Sequence, residues 1–290
     1  MRWDRSHESP DVIDRRGERG RRGGGLAQGV LALAPLLLRH PMGRVLLLLF
    51  LAGSFVFGML GQRDDSAPQV AEPTSATVSD DPRHFVSFVL DDVQTTWTGL
   101  FAKDGGTYEP AKLVLFDGAT HTACGYGKAV TGPFYCPDDE RIYIDLSFYD
   151  ELALRFGASG DFAQAYVIAH EIGHHVQHQL GTTASLRGLS RSEREGETGA
   201  SVRLELQADC FAGIWAHSTE SRGLLEPGDV NEALRAASAV GDDRLQQRAT
   251  GVVTPESFTH GTATQRARWF RTGYQRGDMS ACDTFRATEL

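Results

Sequence analysis

Two histidines four positions apart, His170 and His174, flank Glu171 in the run AYVIAHEIGHHVQHQL. Four residues is slightly more than one helical turn, so both imidazoles leave a helix on nearly the same face and can share one metal ion. Glu171, beside them, is placed to take a proton from a metal-activated water. Tyr166, Val167 and Ile168 precede this HExxH pattern and Val176 and Leu180 follow it, as a half-buried helix requires. A lone histidine is more often a solvated or core residue than a ligand. Four of them between positions 170 and 178 weigh against that bland reading.

A catalytic zinc takes three protein ligands and keeps a fourth position open. His178 lies one turn beyond His174, but the extended pattern HExxHxxGxxH fails, because Gln177 stands in place of the glycine and Leu180 in place of the third histidine. Downstream, RLELQADCFAGIW offers Glu205 and Asp209 at i and i+4 of a second helix. Glu205 completes a His2Glu set, and Asp209 is placed to accept a hydrogen bond from a ligand imidazole and fix its tautomer. A surface pair of acids is the plain alternative, and the apolar neighbours Leu204, Leu206, Ala208 and Phe211 argue against it. Zn2+ in such a set brings its bound water towards a pKa of about 7 and polarises a carbonyl, so hydrolysis of peptide bonds is the expected chemistry. A side chain that donates to the developing oxyanion is also expected. His260, in FTHGT, is the first candidate, with Tyr274 and Arg268 behind it, although His260 serves equally well as a turn residue before Gly261. His175 and His178 read as helix-surface or supporting residues.

The elements that must position these residues follow from periodicity. Phe85, Val89, Val93, Trp97 and Leu100 mark one face of a helix. AKLVLFD at 111–117 and RIYIDL at 141–146 read as strands, the second a candidate rim for an extended substrate. Helices are expected over 161–180, 199–218, 228–247 and 262–276, with a polar loop at 182–199. The fold class is therefore α+β, mostly helical with a small sheet. Cys124, Cys136, Cys210 and Cys282 allow three pairings; Cys124 with Cys136 closes a short Gly-rich loop and leaves Cys210 for Cys282. No CxxC spacing suggests a cysteine-bound metal.

The net charge of -9 conceals an asymmetry, since residues 1–44 carry nine Arg against five Asp and Glu. An acidic body repels phosphate, which excludes nucleic acid as its main partner. VLLLLFLAGSFVFGMLGQ follows Arg44 without a charge and is long enough to cross a bilayer. The expected layout is a basic cytoplasmic segment at 1–44, a transmembrane helix at 45–61, a linker at 62–82 and the folded domain at 83–290. By the positive-inside rule the arginines keep the N-terminus in the cytoplasm, so the domain of a single-pass plasma-membrane protein would lie outside, where disulfides persist.

MRWDRSHESPDV, CGYGKAVTGPFYCP, IYIDLSFYDEL, AHEIGHHVQHQLG, RLELQADCFAGIWA and SFTHGTATQRARWFRTGY together resemble the bacterial family of putative neutral zinc metallopeptidases. The spacing of HExxH and ExxxD is similar to that of the gluzincin branch of zincins. The resemblance implies a zincin-like, membrane-associated zinc peptidase acting on a peptide or protein substrate. The competing class is a membrane-tethered binding or scaffold protein with a structural zinc. A structural site closes all four positions, and no fourth ligand presents itself here.

Overall fold

A computed structural model describes residues 1–18, 81–128, 132–154 and 157–290 of the chain. The expected transmembrane helix at 45–61 and nearly all of the expected linker lie outside the described residues. Among the described residues no helix is long and apolar enough to cross a membrane.

The first element is a strand, β1 (Val12–Asp14), which pairs in parallel with β2 (Lys112–Leu115) at Val12 with Leu113 and Asp14 with Leu115. Between them in sequence comes helix α1 (Pro82–Lys103), which starts at an Asp81 cap whose side chain accepts a hydrogen bond from the Arg83 amide, with Pro82 in the first turn where a missing N–H costs nothing. The expected apolar stripe of α1 is buried from Phe85 to Trp97. After β2 come a hairpin of β3 (Ala119–Thr122) and β4 (Gly125–Lys128), then β5 (Phe134–Cys136) and β6 (Arg141–Ile144). The main sheet has the order β1-β2-β6-β5, with β5 antiparallel to β6 and the other neighbours parallel.

Helices make up the rest: α2 (Ser147–Leu154), α3 (Asp161–Gln179), the single turns α4 (Thr182–Ser185) and α5 (Arg191–Arg194), α6 (Ala200–Ser221), α7 (Asp229–Ala239), α8 (Asp242–Thr250) and α9 (Ala263–Arg276). The α+β, mostly helical class is thus observed. The helix expected over 228–247 is two helices, because the chain bends at Gly241. A Cβ there would stand 2.3 Å from the Ala263 amide nitrogen at the start of α9. The region 182–199, expected as a loop, holds α4 and α5. Cys124 pairs with Cys136 and Cys210 with Cys282.

One expectation is corrected by β1. Residues 1–18 are no separate basic tail: they form one unit with residues 78–290. Their charges are neutralised locally, with Arg16 on Asp14 and on Asp81, and Glu8 on Arg83. A single crossing at 45–61 would put β1 and β2 on opposite faces of a membrane, yet the two strands are hydrogen-bonded.

Candidate metal centre

The site is built where α3 crosses α6. A Cβ on Gly173 would lie 3.0 Å from the Cα and the carbonyl oxygen of Ala208, so the missing side chain lets the two backbones approach. His170 and His174 flank that contact on α3; Glu205 and Asp209 flank it on α6. The Glu205 carboxylate spans both imidazoles, with Oε2 3.2 Å from His170 Nε2 and Oε1 3.4 Å from His174 Nε2. Ligand atoms of the three residues all fall within 4.8 Å of one another. Two ligands of a tetrahedral zinc with bonds near 2.0–2.1 Å stand about 3.3 Å apart, so each Glu205–histidine separation is one that a pair of Zn2+ ligands takes.

The far side of each ring is also accounted for. His170 Nδ1 lies 2.9 Å from Asp209 Oδ1 and His174 Nδ1 lies 2.9 Å from Gln177 Oε1. Both oxygens accept, which places the ring proton on Nδ1 and the lone pair on Nε2, the atom turned to Glu205. Burial opposes a proton on His170, but Asp209 and Glu205 outweigh it and lift the group to about 9. Burial likewise opposes charge on Glu205, and the two histidines overcome it and hold the carboxyl well below the usual range. The cluster thus carries a demand for positive charge between its nitrogens and oxygens, which a divalent cation satisfies. Glu171 is buried, and burial raises its pKa. Its Oε2 has no hydrogen-bond partner among the described residues. An orphaned carboxylate oxygen beside the imidazoles suits a proton acceptor.

Asp209 is the hub that the sequence only hinted at. It is fully buried and accepts from His170 Nδ1, from the Tyr166 hydroxyl, and from Arg266 through Nε at 2.8 Å and Nη2 at 3.0 Å. Sequence reasoning assigned Arg266 and Gln177 no role at the site. A signal existed for the first. Arg266 stands on the stripe Ala263, Trp269, Phe270 and Gly273 that α9 buries, and an arginine on a buried stripe needs a carboxylate partner. For Gln177 there was none, since its hydrogen bond to His174 depends on side-chain rotamers.

A cavity of about 680 Å³ opens over Glu171, His174 and Glu205, and His260 lines it. Asp242 accepts from the His260 amide at 2.6 Å and stands 3.2 Å from the ring Nδ1, raising the pKa of His260 chiefly through that ring hydrogen bond. His260 thus precedes the turn at Gly261 and also lines the cavity. The weaker candidates fall away. Arg268 pairs with Glu289 on the surface, and Tyr274 hydrogen-bonds Glu220. His175 is a core residue rather than a surface one, held by the Tyr135 hydroxyl at 2.9 Å and the Glu109 carbonyl at 2.7 Å. β6, expected as a cleft rim, is paired on both sides within the sheet. The sheet edge beside β6 is β5, whose Phe134 and Tyr135 line the cavity.

The uncharacterized protein YpfJ of Escherichia coli K12 is 45% identical over 293 residues, covering 98% of this chain and 99% of its own. The uncharacterized protein Rv2575 of Mycobacterium tuberculosis H37Rv is 48% identical over 194 residues, covering 63% of this chain and 65% of its own. No solved structure matches the chain. A sequence model of one protein family, described as putative neutral zinc metallopeptidase, matches residues 1–285, and the chain belongs to that family.

Proposed function

We propose that the protein is a membrane-associated, zinc-dependent endopeptidase. The observation that carries this reading is the Glu205 carboxylate spanning two Nε2 atoms, next to the unpartnered oxygen of Glu171, at the floor of an open cleft. His170, His174 and Glu205 would hold Zn2+, which when bound acidifies water and polarises a carbonyl.

The remaining work belongs to the chain. Glu171 takes the proton of the attacking water and returns it to the leaving amine, a cycle favoured by the raised pKa of a buried carboxyl. His260, kept protonated by Asp242, donates to the oxygen of the scissile carbonyl as charge develops there. Asp209 and Arg266 hold the His170 ring in its tautomer. β5 offers a free strand edge along which an extended peptide or protein substrate can lie.

The apolar run at 45–61 supports membrane association, and the two disulfides support an oxidising location for the folded body, outside the plasma membrane. Because residues 1–18 share that body, they would lie on the same side of the membrane as the metal centre. Protease accessibility of residues 1–18 in intact and permeabilised cells tests this.

The catalytic reading is tested by Glu171→Gln. One zinc per chain should remain, while chelator-sensitive cleavage of a peptide library falls about 10²–10⁴-fold. Stoichiometric zinc in the wild-type protein with no chelator-sensitive cleavage would instead favour a binding protein.

A further inference from the structure

Of the histidines between positions 170 and 178, His175 is fully buried yet takes no part in the chemistry proposed above. It follows His174 directly on α3 and leaves the helix about 100° round from it, so that His174 faces Glu205 while His175 faces the sheet. Both of its ring nitrogens are engaged. Nε2 lies 2.7 Å from the Glu109 carbonyl oxygen, which only accepts, and Nε2 therefore carries the proton. Burial disfavours a second proton on the ring, which leaves Nδ1 to accept from the Tyr135 hydroxyl at 2.9 Å. Gln179, whose Nε2 stands 2.6 Å from the same ring nitrogen, donates to the Glu109 carbonyl as well. The Tyr108 ring meets the imidazole edge-on, with centroids 5.6 Å apart.

The hydroxyl at the other end of this bond belongs to β5, the free edge beside the cleft. Each residue of that short strand is anchored. The Phe134 ring stacks on Tyr143 of β6 with centroids 5.1 Å apart, and Cys136 is bonded to Cys124 of the neighbouring hairpin. Both of these fasten β5 to its own sheet or to the hairpin. Tyr135 differs, because its hydroxyl supplies the hydrogen bond that joins β5 to α3 among the described residues. The metal ligands His170 and His174 ride on α3, so this bond ties the height of the edge to the metal centre. An apolar side chain at position 175 would fill the same space and leave that relation loose.

We propose that His175 is a positioning residue: through the Tyr135 hydroxyl it holds the β5 edge where one extended peptide reaches both the strand and the metal. The inference rests on the peptidase reading and deepens it, since it names what the site holds best, a peptide with several extended residues on one side of the bond to be cut. Such a peptide adds backbone hydrogen bonds along β5. Those bonds give affinity only if the strand already stands at the right height, because ordering it during binding subtracts from the gain. His175 itself does not line the cavity, whereas Tyr135 does, so the histidine acts through the tyrosine.

Tyr135→Phe removes the hydroxyl and keeps the ring. The probes are two peptidyl hydroxamates, whose end group binds zinc, one of a single residue and one of about five residues, offered to the zinc-loaded full chain. On the wild type the longer probe should bind about 100-fold more tightly, as two or three backbone hydrogen bonds provide. In Tyr135→Phe the short probe and the zinc content should be unchanged, while the gain from length falls about tenfold. Adding His175→Phe should remove no further gain, because both changes act through one bond. For any peptide that is cleaved, Tyr135→Phe should raise KM and leave kcat unchanged. An undiminished gain in Tyr135→Phe would overturn the proposal, as would equal losses for both probes, which mark a purely structural bond, or a wild type on which length brings nothing. Affinity is read without hydrolysis, so absent cleavage with the expected affinities sinks the peptidase reading and leaves the positioning role standing. A short probe that does not bind the zinc-loaded wild type sinks the metal site and this inference together.

Discussion

Replacing Asp209 by Asn separates the support of the site from its chemistry. The two side chains have nearly the same shape, but the carboxylate accepts four hydrogen bonds, from Tyr166, His170 and two nitrogens of Arg266. An amide offers one oxygen and one NH2. If the oxygen stays on Tyr166, His170 and Arg266 Nη2, the NH2 points at Arg266 Nε and leaves a guanidinium that is 3% exposed without its counter-ion. Breaking a buried pair in this way costs about 3–5 kcal/mol, a large share of the ~5–15 kcal/mol that holds a typical protein folded. If the amide flips, Arg266 gains an acceptor and His170 Nδ1 loses one, so zinc affinity falls by about 10–100-fold, the usual cost of losing such support. Urea unfolding with chelator present reads the first cost, and competition against a zinc dye reads the second. Expected is a loss of at least about 3 kcal/mol in stability or at least about tenfold in zinc affinity. A variant within about 1 kcal/mol of wild type that binds zinc equally well would refute the assignment of Asp209 as the hub.

His260→Ala should leave zinc content unchanged and lower kcat about 10²–10³-fold. Because Asp242 raises the pKa of His260, the donor stays charged to higher pH than a free imidazole, and the wild-type alkaline limb should lie above pH 6.5 and vanish in the variant. Gly273→Ala places a Cβ 1.9 Å from the Cys210 carbonyl oxygen where α9 crosses α6, and should cost at least about 3 kcal/mol in chemical unfolding. Cys210→Ser with Cys282→Ser opens a loop of sequence separation 72, for which chain entropy gives about 4 kcal/mol, against about 3 kcal/mol for Cys124 with Cys136. The order of the two losses in unfolding experiments checks that account.

What could be read from the sequence was what periodicity and coordination chemistry constrain. The helix of His170 and His174 shows itself by its apolar neighbours, and Glu205 follows from the need for a third ligand. β1 was hidden because VID is only three residues, half-buried, and its partner stands about a hundred positions away. The arginines of the N-terminal segment suggested a tail, and only the fold reveals that Arg16 faces Asp14 and Asp81. Arg266 and Gln177 act through side-chain geometry across helices, which spacing along one helix does not encode. The break at Gly241 arises from the close approach of Ala263, a tertiary contact with no local signature.

The pairing of β1 with β2 also dictates how a shortened protein should be engineered. Deleting everything before residue 81 would strip a strand from the sheet. Excision is the better cut, since Arg16 reaches Asp81 at 3.3 Å and the two junctions are neighbours. A linker about one tenth the length of the removed stretch would join Glu18 to Asp81 and lower the loop-closure cost by about 2 kcal/mol. Such an internally trimmed chain should be more stable than its parent and free of the 45–61 apolar run.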